Sequence, residues 1–208
     1  MRIAVLVSGE GTNLQAILDS VHGEDGVEVV AVAANRQEAR GLERARAAGI
    51  ETGVFTAAGH AERDERDRAL GDFLEVREVD LVVLAGFMEL LGPGFVARFR
   101  GRLINVHPSL LPAFPGVRAI EQALDYGVRV MGVTVHFVDE GVDSGPVILQ
   151  EAIEVAYPAD IAATRERVHQ VEHELLPRAI RLLARGAVRI DPNNPRRVLV
   201  QEGADVGH

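Results

Sequence analysis

An amide, an imidazole and a carboxylate stand out in the middle of the chain as groups that could act together. Asn105 and His107 are two residues apart, so on an extended strand their side chains leave the same face. Asp143 lies in the glycine-bracketed stretch Gly141–Gly145, which is typical of a loop. An amide donor, a titratable imidazole and a carboxylate are what non-covalent acyl transfer needs at a tetrahedral carbon. The sequence therefore predicts that Asn105, His107 and Asp143 form a catalytic set.

Two of these side chains also admit plainer explanations. A histidine at a strand end is compatible with a structural role, and a loop aspartate usually lies in solvent. The segment Pro108–Gly116 favours chemistry at His107, because its three prolines exclude both a helix and a central strand. Rigid loops at strand ends commonly position catalytic groups, so the sequence favours a catalytic role for His107.

The glycine-bearing turn Ser8–Asn13 follows the first apolar run of the chain. A turn from strand to helix exposes backbone N–H groups at the positive end of the helix dipole, which suits a phosphate. The dinucleotide pattern fails, because Leu14 stands where a third glycine is required, and the P-loop lysine is absent as well. A tight turn capped by Thr12 or Asn13, without any ligand, is the alternative.

The remaining polar clusters are expected to be structural. His136 alternates with apolar residues, as a strand residue does. His169 and His173 have a spacing that can bind zinc on a helix, but the metalloprotease motif is missing, so no metal is expected. The charged stretch 62–68 is expected to be a solvated helix face, from which one arginine could point into a cleft.

Strands and helices alternate along the sequence, and the strands are continuous apolar runs. This pattern predicts an α/β fold, a doubly wound and mostly parallel sheet with helices on both faces. Ligands of such a fold bind beyond the carboxyl ends of the strands, so the loops after the first strand, Leu84 and Val106 and the loop at Asp143 should share one rim. An antiparallel edge is expected near the C-terminus. Strands are predicted at 3–7, 27–33, 54–55, 81–85, 103–106, 130–138 and 147–155, and helices at 14–21, 39–48, 61–76, 95–99 and 119–126. A last long helix is predicted to begin after Asp160, its N-cap, and to run to about residue 184.

Composition narrows the class of protein. A chain of 208 residues predicts one domain, here placed at 1–184, followed by a tail or small edge hairpin at 185–208. A net charge of -9 argues against nucleic acid or an anionic membrane as a partner. The absence of cysteine excludes thiolate chemistry and disulfides. No apolar run is long enough for a signal peptide or a membrane span, so a soluble cytoplasmic protein is expected.

Four motifs together resemble the formyltransferase family, on its glycinamide ribonucleotide branch, over roughly residues 1–182. They are Ser-Gly-Glu-Gly-Thr-Asn-Leu-Gln at 8–15, Leu-Ala-Gly-Phe-Met at 84–88, Asn-Val-His-Pro-Ser-Leu-Leu-Pro at 105–112 and Val-Asp-Ser-Gly-Pro at 142–146. The resemblance implies a Rossmann-like fold. It also implies transfer of the formyl group of 10-formyltetrahydrofolate to the amine of 5-phosphoribosylglycinamide in purine biosynthesis, without a metal.

The resemblance also implies a role for each matching position. Asn105, His107 and Asp143 would be catalytic. The ribonucleotide would be held by residues of the glycine turn and the last helix: Gly11, Thr12, Asn13, His169, Gln170, Val171 and Glu172. The folate would lie against Arg63, Met88, Glu89, Leu90, Leu91, Asn105, Asp139, Glu140, Gly141, Val142 and Asp143.

Two positions depart from what the resemblance implies. Glu89 stands where a basic residue would contact the folate glutamate, so tail binding is expected to rest on Arg63 or other groups. His169 stands where glutamine or lysine is expected.

Other functions remain open from the sequence. They are another 10-formyltetrahydrofolate enzyme, either a hydrolase or a tRNA formyltransferase, and a folate- or nucleotide-binding module without catalysis. The acidic composition argues against the tRNA enzymes, which carry a basic C-terminal domain. The only partners expected are small-molecule substrates, and the protein is expected to be a monomer or a homodimer.

Overall fold

The structure is a computed structural model that describes residues 1–201. Its strands alternate with helices as the sequence predicts, and most of the predicted boundaries agree within a few residues. The exception is the third strand, which begins well before the predicted Val54. The strands are β1 (Arg2–Val7), β2 (Glu28–Ala34), β3 (Glu51–Val54), β4 (Leu81–Leu84), β5 (Leu103–His107), β6 (Val130–Phe137), β7 (Val147–Glu154), β8 (Val188–Asp191) and β9 (Asn194–Val200).

The helices differ in how they begin. The helix at the end of the chain starts at Asp160, the predicted N-cap, whose carboxylate accepts bonds from the Ala162 and Ala163 N–H groups. The first helix starts after Gly11, which has a φ of 71° and provides no side-chain cap. The helices are α1 (Thr12–Ser20), α2 (Arg40–Ala47), α3 (Arg63–Glu75), α4 (Pro93–Arg98), α5 (Ala119–Tyr126) and α6 (Ile161–Ala184).

Within residues 1–201, seven strands form one sheet in the order β3-β2-β1-β4-β5-β6-β7. The first five in this order are parallel, whereas β6 runs antiparallel to β5 and β7 antiparallel to β6. The strand order reverses between β1 and β4, the place where doubly wound folds bind ligands. The predicted doubly wound sheet with an antiparallel edge is therefore confirmed.

Both faces of the sheet are buried, which explains the continuous apolar strands. Along β1, Ile3, Val5 and Val7 pack into one core cluster and Ala4 and Leu6 into the other. Helices α1, α2, α5 and α6 cover the first face, and α3 and α4 cover the second. Each fully buried aliphatic side chain stabilises the fold by at most about 1.5–3 kcal/mol.

Strands β8 and β9 form a separate two-stranded antiparallel sheet, and β9 lies against β7. The hairpin alternative for residues 185–208 is therefore seen in residues 188–200, while residues 202–208 lie outside the described part. The division into a domain at 1–184 and a tail remains a prediction. None of the helices in residues 1–201 combines the length and apolar character that crossing a membrane requires.

Candidate active site

Strand β5 brings two of the predicted catalytic residues to the same end of the sheet. Ile104 and Val106 anchor the strand in the first core cluster, and the alternation of side chains places Asn105 and His107 together on the opposite face. His107 is buried and Asn105 is half-buried. Both side chains reach the carboxylate of Asp143, which comes from the loop between β6 and β7. The structure thus brings the predicted set together, and these three residues are called the polar trio below.

Asp143 is the centre of the polar trio. One carboxylate oxygen, Oδ2, lies 3.3 Å from Nδ1 of His107 and accepts a 2.7 Å bond from the Gly116 N–H. The other, Oδ1, accepts a 3.3 Å bond from Nδ2 of Asn105. Asp143 itself has a φ of 48°, a left-handed conformation that is uncommon for a residue other than glycine and that clusters at functional sites. The loop therefore holds this carboxylate in a specific position.

A second histidine belongs to the site, and the sequence analysis assigned it only a strand role. His136 on β6 pairs with Asn105 across the two strands, and its Nε2 lies 3.2 Å from Asn105 Nδ2 and 3.7 Å from Asp143 Oδ1. Its Nδ1 faces the Phe137 carbonyl at 2.8 Å, which requires the proton on Nδ1 and leaves Nε2 free to accept. Only the pairing register of β5 and β6 brings His136 here, and residue spacing gives no signal for it.

The amide of Asn105 already has an acceptor for each of its two hydrogens. One faces His136 and the other faces Asp143, at 3.2 and 3.3 Å. Both bonds are at or slightly beyond the long end of ordinary N–H···O geometry. If Asn105 donates to a substrate oxygen, as the sequence predicts, one of these two hydrogen bonds must break.

The protonation of the polar trio is set by burial and by neighbouring charges. Burial lowers the pKa of His107, and the carbonyl of Phe114 and the charge of Asp143 raise it by less. Burial raises the pKa of Asp143, but the neighbouring imidazoles of His136 and His107 and the bond from the Gly116 N–H outweigh burial, so its pKa lies below the usual value. Asp143 therefore favours the charged form of His107, but burial is the larger effect, and the pKa of His107 lies below its usual value.

The geometry around His107 opposes this effect of burial. Nε2 lies 2.9 Å from the carbonyl oxygen of Phe114, and Nδ1 lies 3.3 Å from the carboxylate of Asp143. Both neighbours are acceptors, so a neutral imidazole can donate to only one of them. If His107 takes up a second proton, each ring nitrogen can donate to one of these two acceptors.

The glycine turn lies at the end of β1, beside the polar trio. Adding a Cβ at Gly11 would bring it to 2.6 Å from the Gly41 backbone, so glycine is required there by both space and backbone conformation. Nδ2 of Asn13 donates a 2.9 Å bond to Glu172 on α6. The buried Oδ1 of Asn13 has no hydrogen-bond partner within the described chain. An orphaned acceptor of this kind is costly unless a ligand or water supplies a donor.

Two residues predicted on α6 reach this turn. Glu172 is buried, and burial raises its pKa against the opposing bond from Asn13. His169 is exposed and stacks beside His173, with ring centroids 6.4 Å apart. Gln170 and Val171 lie elsewhere on the helix, Gln170 exposed and Val171 packed against the core. The ribonucleotide contacts of these four residues remain predictions.

A cavity of about 580 Å³, called the central cleft below, connects these elements. It reaches Val106 and Pro108, the neighbours of His107 in the chain. The glycine turn forms one wall of the cleft and α6 forms another. Its lining includes Ser8, Gly9, Glu10, Gly11, Thr12, Asn13, Arg36, Ala85, Gly86, Met88, Val106, Pro108, Arg118, Ala119, Ile120, Glu121, Arg165, His169 and Glu172.

One predicted folate residue, Met88, lines the central cleft, and Leu90 follows it two residues later. Met88 and Leu90 are 67% and 64% exposed, large apolar side chains left free for a ligand. The Met88 N–H donates a 2.7 Å bond to Ser8 Oγ, which ties this segment to the glycine turn. Asp139 accepts bonds from the Gly141 N–H and the Ser144 hydroxyl and so shapes the neighbouring loop. The folate contacts of these residues remain predictions.

Glu89 is neutralised by a partner from the charged stretch 62–68. Nη1 of Arg66 lies 2.7 Å from Glu89, and Nη2 lies 2.7 Å from Asp67 and 3.2 Å from the Leu90 carbonyl. Burial raises the pKa of Glu89, but its bonds from Arg66 and Asn35 lower it further, below the usual value. The prediction that this stretch is a solvated helix face is wrong for Arg66 and Asp67, which are buried, whereas Arg63 is exposed as predicted.

Comparison with known proteins decides the family. A family model described as formyl transferase matches residues 1–180. The chain belongs to the formyl transferase family. Membership in this family implies a folate-derived formyl donor and small-molecule substrates. Among residues 1–201, no group of three or more His, Asp or Glu side chains could hold a metal ion.

Individual members of the family are similar over nearly the whole chain. Phosphoribosylglycinamide formyltransferase of Haemophilus influenzae is 39% identical over 193 residues, which are 92% of this chain and 91% of that protein. Glycinamide ribonucleotide transformylase 1 of Symbiobacterium toebii has a solved structure that superposes with a TM-score of 0.91 at 47% identity, covering 96% of this chain and 93% of that one.

Longer relatives contain a region similar to this chain. The trifunctional purine biosynthetic protein adenosine-3 of Bos taurus is 45% identical over 193 residues, 92% of this chain but only 19% of that protein. The chain therefore spans about a fifth of the length of these trifunctional relatives.

Proposed function

We propose that the chain is a phosphoribosylglycinamide formyltransferase, which transfers the formyl group of 10-formyltetrahydrofolate to the amine of 5-phosphoribosylglycinamide in de novo purine biosynthesis. The observation that carries the proposal is the polar trio, whose Asp143 carboxylate contacts both Asn105 and His107. Val106 and Pro108, the chain neighbours of His107, line the central cleft. Relatives that share nearly the whole chain carry this name, and the family accounts for the formyl donor.

The two substrates would approach the polar trio from different sides. The ribonucleotide would occupy the central cleft, with its phosphate on the N–H groups of Gly11, Thr12 and Asn13 and its other polar groups near His169 and Glu172. The folate would lie against the exposed Met88 and Leu90 and the loop 139–143. Its formyl carbon would then sit between the amine and the polar trio.

Formyl transfer requires one proton to move from the attacking amine to the departing nitrogen. The amine attacks the formyl carbon, and the carbon–oxygen double bond becomes a negatively charged oxygen. Asn105 donates to this oxygen after one of its two long bonds yields. A preorganised donor of this kind is worth about 2.7–4 kcal/mol.

The polar trio can carry this proton from the amine to the folate, so that the enzyme gains and loses no proton over the whole reaction. Because its pKa is lowered by burial, His107 begins neutral and can accept the proton that the amine nitrogen loses after attack, with Asp143 as the neighbouring carboxylate. The imidazolium then has an acceptor on each side, and it returns the proton to N10 as the carbon–nitrogen bond to the folate breaks. No covalent intermediate with the enzyme is required.

The reaction would take place in the cytoplasm, by a monomer or a homodimer, with no partner other than its two substrates. The absence of a qualifying membrane helix in residues 1–201 and the net charge of -9 are consistent with this setting.

The proposed function is tested by mixing purified protein with glycinamide ribonucleotide and 10-formyltetrahydrofolate and following the deformylated folate by its absorbance. We expect turnover only when both substrates are present. Equal turnover without the ribonucleotide would identify a hydrolase instead. Binding of folate without turnover in either mixture would identify a binding module, and both results would overturn the proposal.

A further inference from the structure

Two arginines of the central cleft have no acceptor of their own. Arg36 and Arg118 both line the cleft, and within residues 1–201 neither guanidinium group has a hydrogen bond or an ion pair. The carboxylates whose charge they influence are Glu89 and Glu121. Glu89 is bound by Arg66 at 2.7 Å, and Glu121 is ion-paired with Arg165. Both arginines therefore face the cleft with a charge that the protein does not neutralise by contact.

The other charges of the cleft are balanced. Glu10 pairs with Arg40 at 2.9 Å, and Glu121 pairs with Arg165. Glu172 is buried with a raised pKa, which favours its neutral form. The cleft therefore has an excess of positive charge, which comes from Arg36 and Arg118. The net charge of the whole chain, in contrast, is -9. Local cations that oppose the overall charge indicate an anionic ligand.

The sheet topology places these arginines on either side of the glycine turn. Arg36 follows β2, which neighbours β1 on one side, and Arg118 follows β5, which lies on the other side beyond β4. Arg118 has a φ of 61° at the start of α5, so its backbone is held in a conformation that L-residues seldom adopt. The glycine turn follows β1, which lies between β2 and β5 in the sheet, and residues of all three connections line the cleft.

We propose that Arg36 and Arg118 bind the phosphate monoester of the ribonucleotide, supplying the charge that complements the N–H groups of the glycine turn. This inference rests on the proposed function and names the residues that select the phosphorylated substrate. The folate glutamate is the other anion at the site. Of the predicted folate residues, the apolar Met88 lines the central cleft, whereas Glu89–Leu91 and the loop 139–143 lie outside its lining. The arginines share the cleft with the glycine turn, and we therefore assign them to the ribonucleotide side.

The proposal is tested with Arg36→Gln and Arg118→Gln, alone and combined. Arg46→Gln is the matched control, because Arg46 is exposed on α2 and does not line the cleft. Loss of one charge-assisted contact should raise the KM for the ribonucleotide about 10–100-fold. The KM for the folate, and all constants of the control, should change less than about twofold.

A dephosphorylated substrate separates charge recognition from general damage. With glycinamide riboside, which lacks the phosphate, each arginine variant should match the wild type. Added salt should raise the ribonucleotide KM of the wild type more than that of the double variant, because screening acts on the charges that the variant lacks. An unchanged KM for the ribonucleotide, a change in the KM for the folate instead, or an equal loss with the riboside would overturn the proposal.

Binding without turnover keeps this test independent of the proposed function. Ribose 5-phosphate is titrated calorimetrically into the wild type and the variants in the absence of folate. We expect binding to the wild type and the control, and at least about tenfold weaker binding to each arginine variant. If the wild type binds this probe but transfers no formyl group, the proposed function fails and the phosphate site stands. Equal binding by all proteins would overturn the phosphate site whatever the transfer assay shows.

Discussion

Asp143 connects all the groups that the proposed chemistry needs. Its Oδ2 faces His107 and the Gly116 N–H, and its Oδ1 faces Asn105 and His136. With a pKa below its usual value, the carboxylate stays ionised across the neutral range. A single fixed charge therefore orients the amide of Asn105 and favours a proton on the imidazole of His107.

Replacing Asn105 by alanine tests the proposed donor to the formyl oxygen. We expect kcat to fall about 10²–10³-fold, the usual effect of removing one preorganised donor, while the KM for the ribonucleotide changes little. Steady-state kinetics measures the effect, and circular dichroism confirms that the variant is folded. A kcat within about threefold of the wild type would mean that the formyl oxygen does not depend on this amide.

Glu172 makes the stability of the protein depend on pH. Burial raises its pKa in the folded state, so above the unfolded value of about 4.3 the folded chain retains a proton that the unfolded chain has lost, and stability falls as pH rises. Glu172→Gln removes this cost. The variant should therefore be more stable than the wild type at pH 8, with a Tm higher by about 2–4 °C for each kcal/mol gained.

Urea unfolding at pH 4, 6 and 8 measures this effect. The difference in the free energy of unfolding between Glu172→Gln and the wild type should shrink as pH falls. Below about pH 4.3, Glu172 of the wild type is protonated in both the folded and the unfolded state. A stability difference that is the same at all three pH values would show that the substitution acts through packing alone.

The sequence predicts the polar trio because residue type and local spacing are enough to do so. Asn105 and His107 share a strand face by simple alternation, and the glycines around Asp143 mark a loop. The contribution of His136 depends on the register Asn105–His136 between two strands, which no local pattern encodes. The lowered pKa of His107 likewise follows from burial by the whole fold.

At the scale of elements, the loop between β6 and β7 positions Asp143 because its backbone passes very close to β6. A Cβ on Gly145 would lie 1.8 Å from the Phe137 carbonyl oxygen, far closer than any real contact. The Phe137 N–H also donates a 2.9 Å bond to the Pro146 carbonyl. The glycine is therefore required for the loop to close over the polar trio.

Gly145→Ala should displace this loop and with it the carboxylate of Asp143. We expect a loss of about 1–3 kcal/mol in the free energy of unfolding together with a larger loss of kcat. Gly94→Ala is the control, because a Cβ there meets no atom within 4 Å and the glycine lies in helix α4. Urea unfolding and the transfer assay measure both properties. Equal behaviour of the two variants would show that the close approach of Gly145 does not position Asp143.

Elements with strong periodicity or clear caps are predicted well from the sequence. The buried strands of the sheet are continuous apolar runs, and Asp160 caps α6 as expected. Strand β3 was predicted at 54–55 but spans Glu51–Val54, because its polar residues gain their strand conformation from pairing with β2. The charge cluster of Arg66, Asp67 and Glu89 was missed for a similar reason, since Glu89 is distant in sequence from its partner.

At the scale of the whole molecule, the sheet assembles a locally cationic cleft in an acidic protein. The loops after β1, β2, β4 and β5 meet at one end of the sheet and supply the glycine turn, the two unpaired arginines and the apolar folate residues. The last residues of β5 and the loop after β6 supply the polar trio at the same end. A net charge of -9 gives no long-range attraction for an anion. Selection of the substrates therefore depends on contacts inside the cleft.

The central claim is that the polar trio transfers a formyl group from the folate to the ribonucleotide. The most direct test follows a ¹³C-labelled formyl group by mass spectrometry in the wild type and in Asp143→Asn. The wild type should place the label on the glycinamide amine, and the variant should do so at least about a hundredfold more slowly while remaining folded. Label released only as formate by the wild type, or transferred at nearly the wild-type rate by Asp143→Asn, would contradict the account.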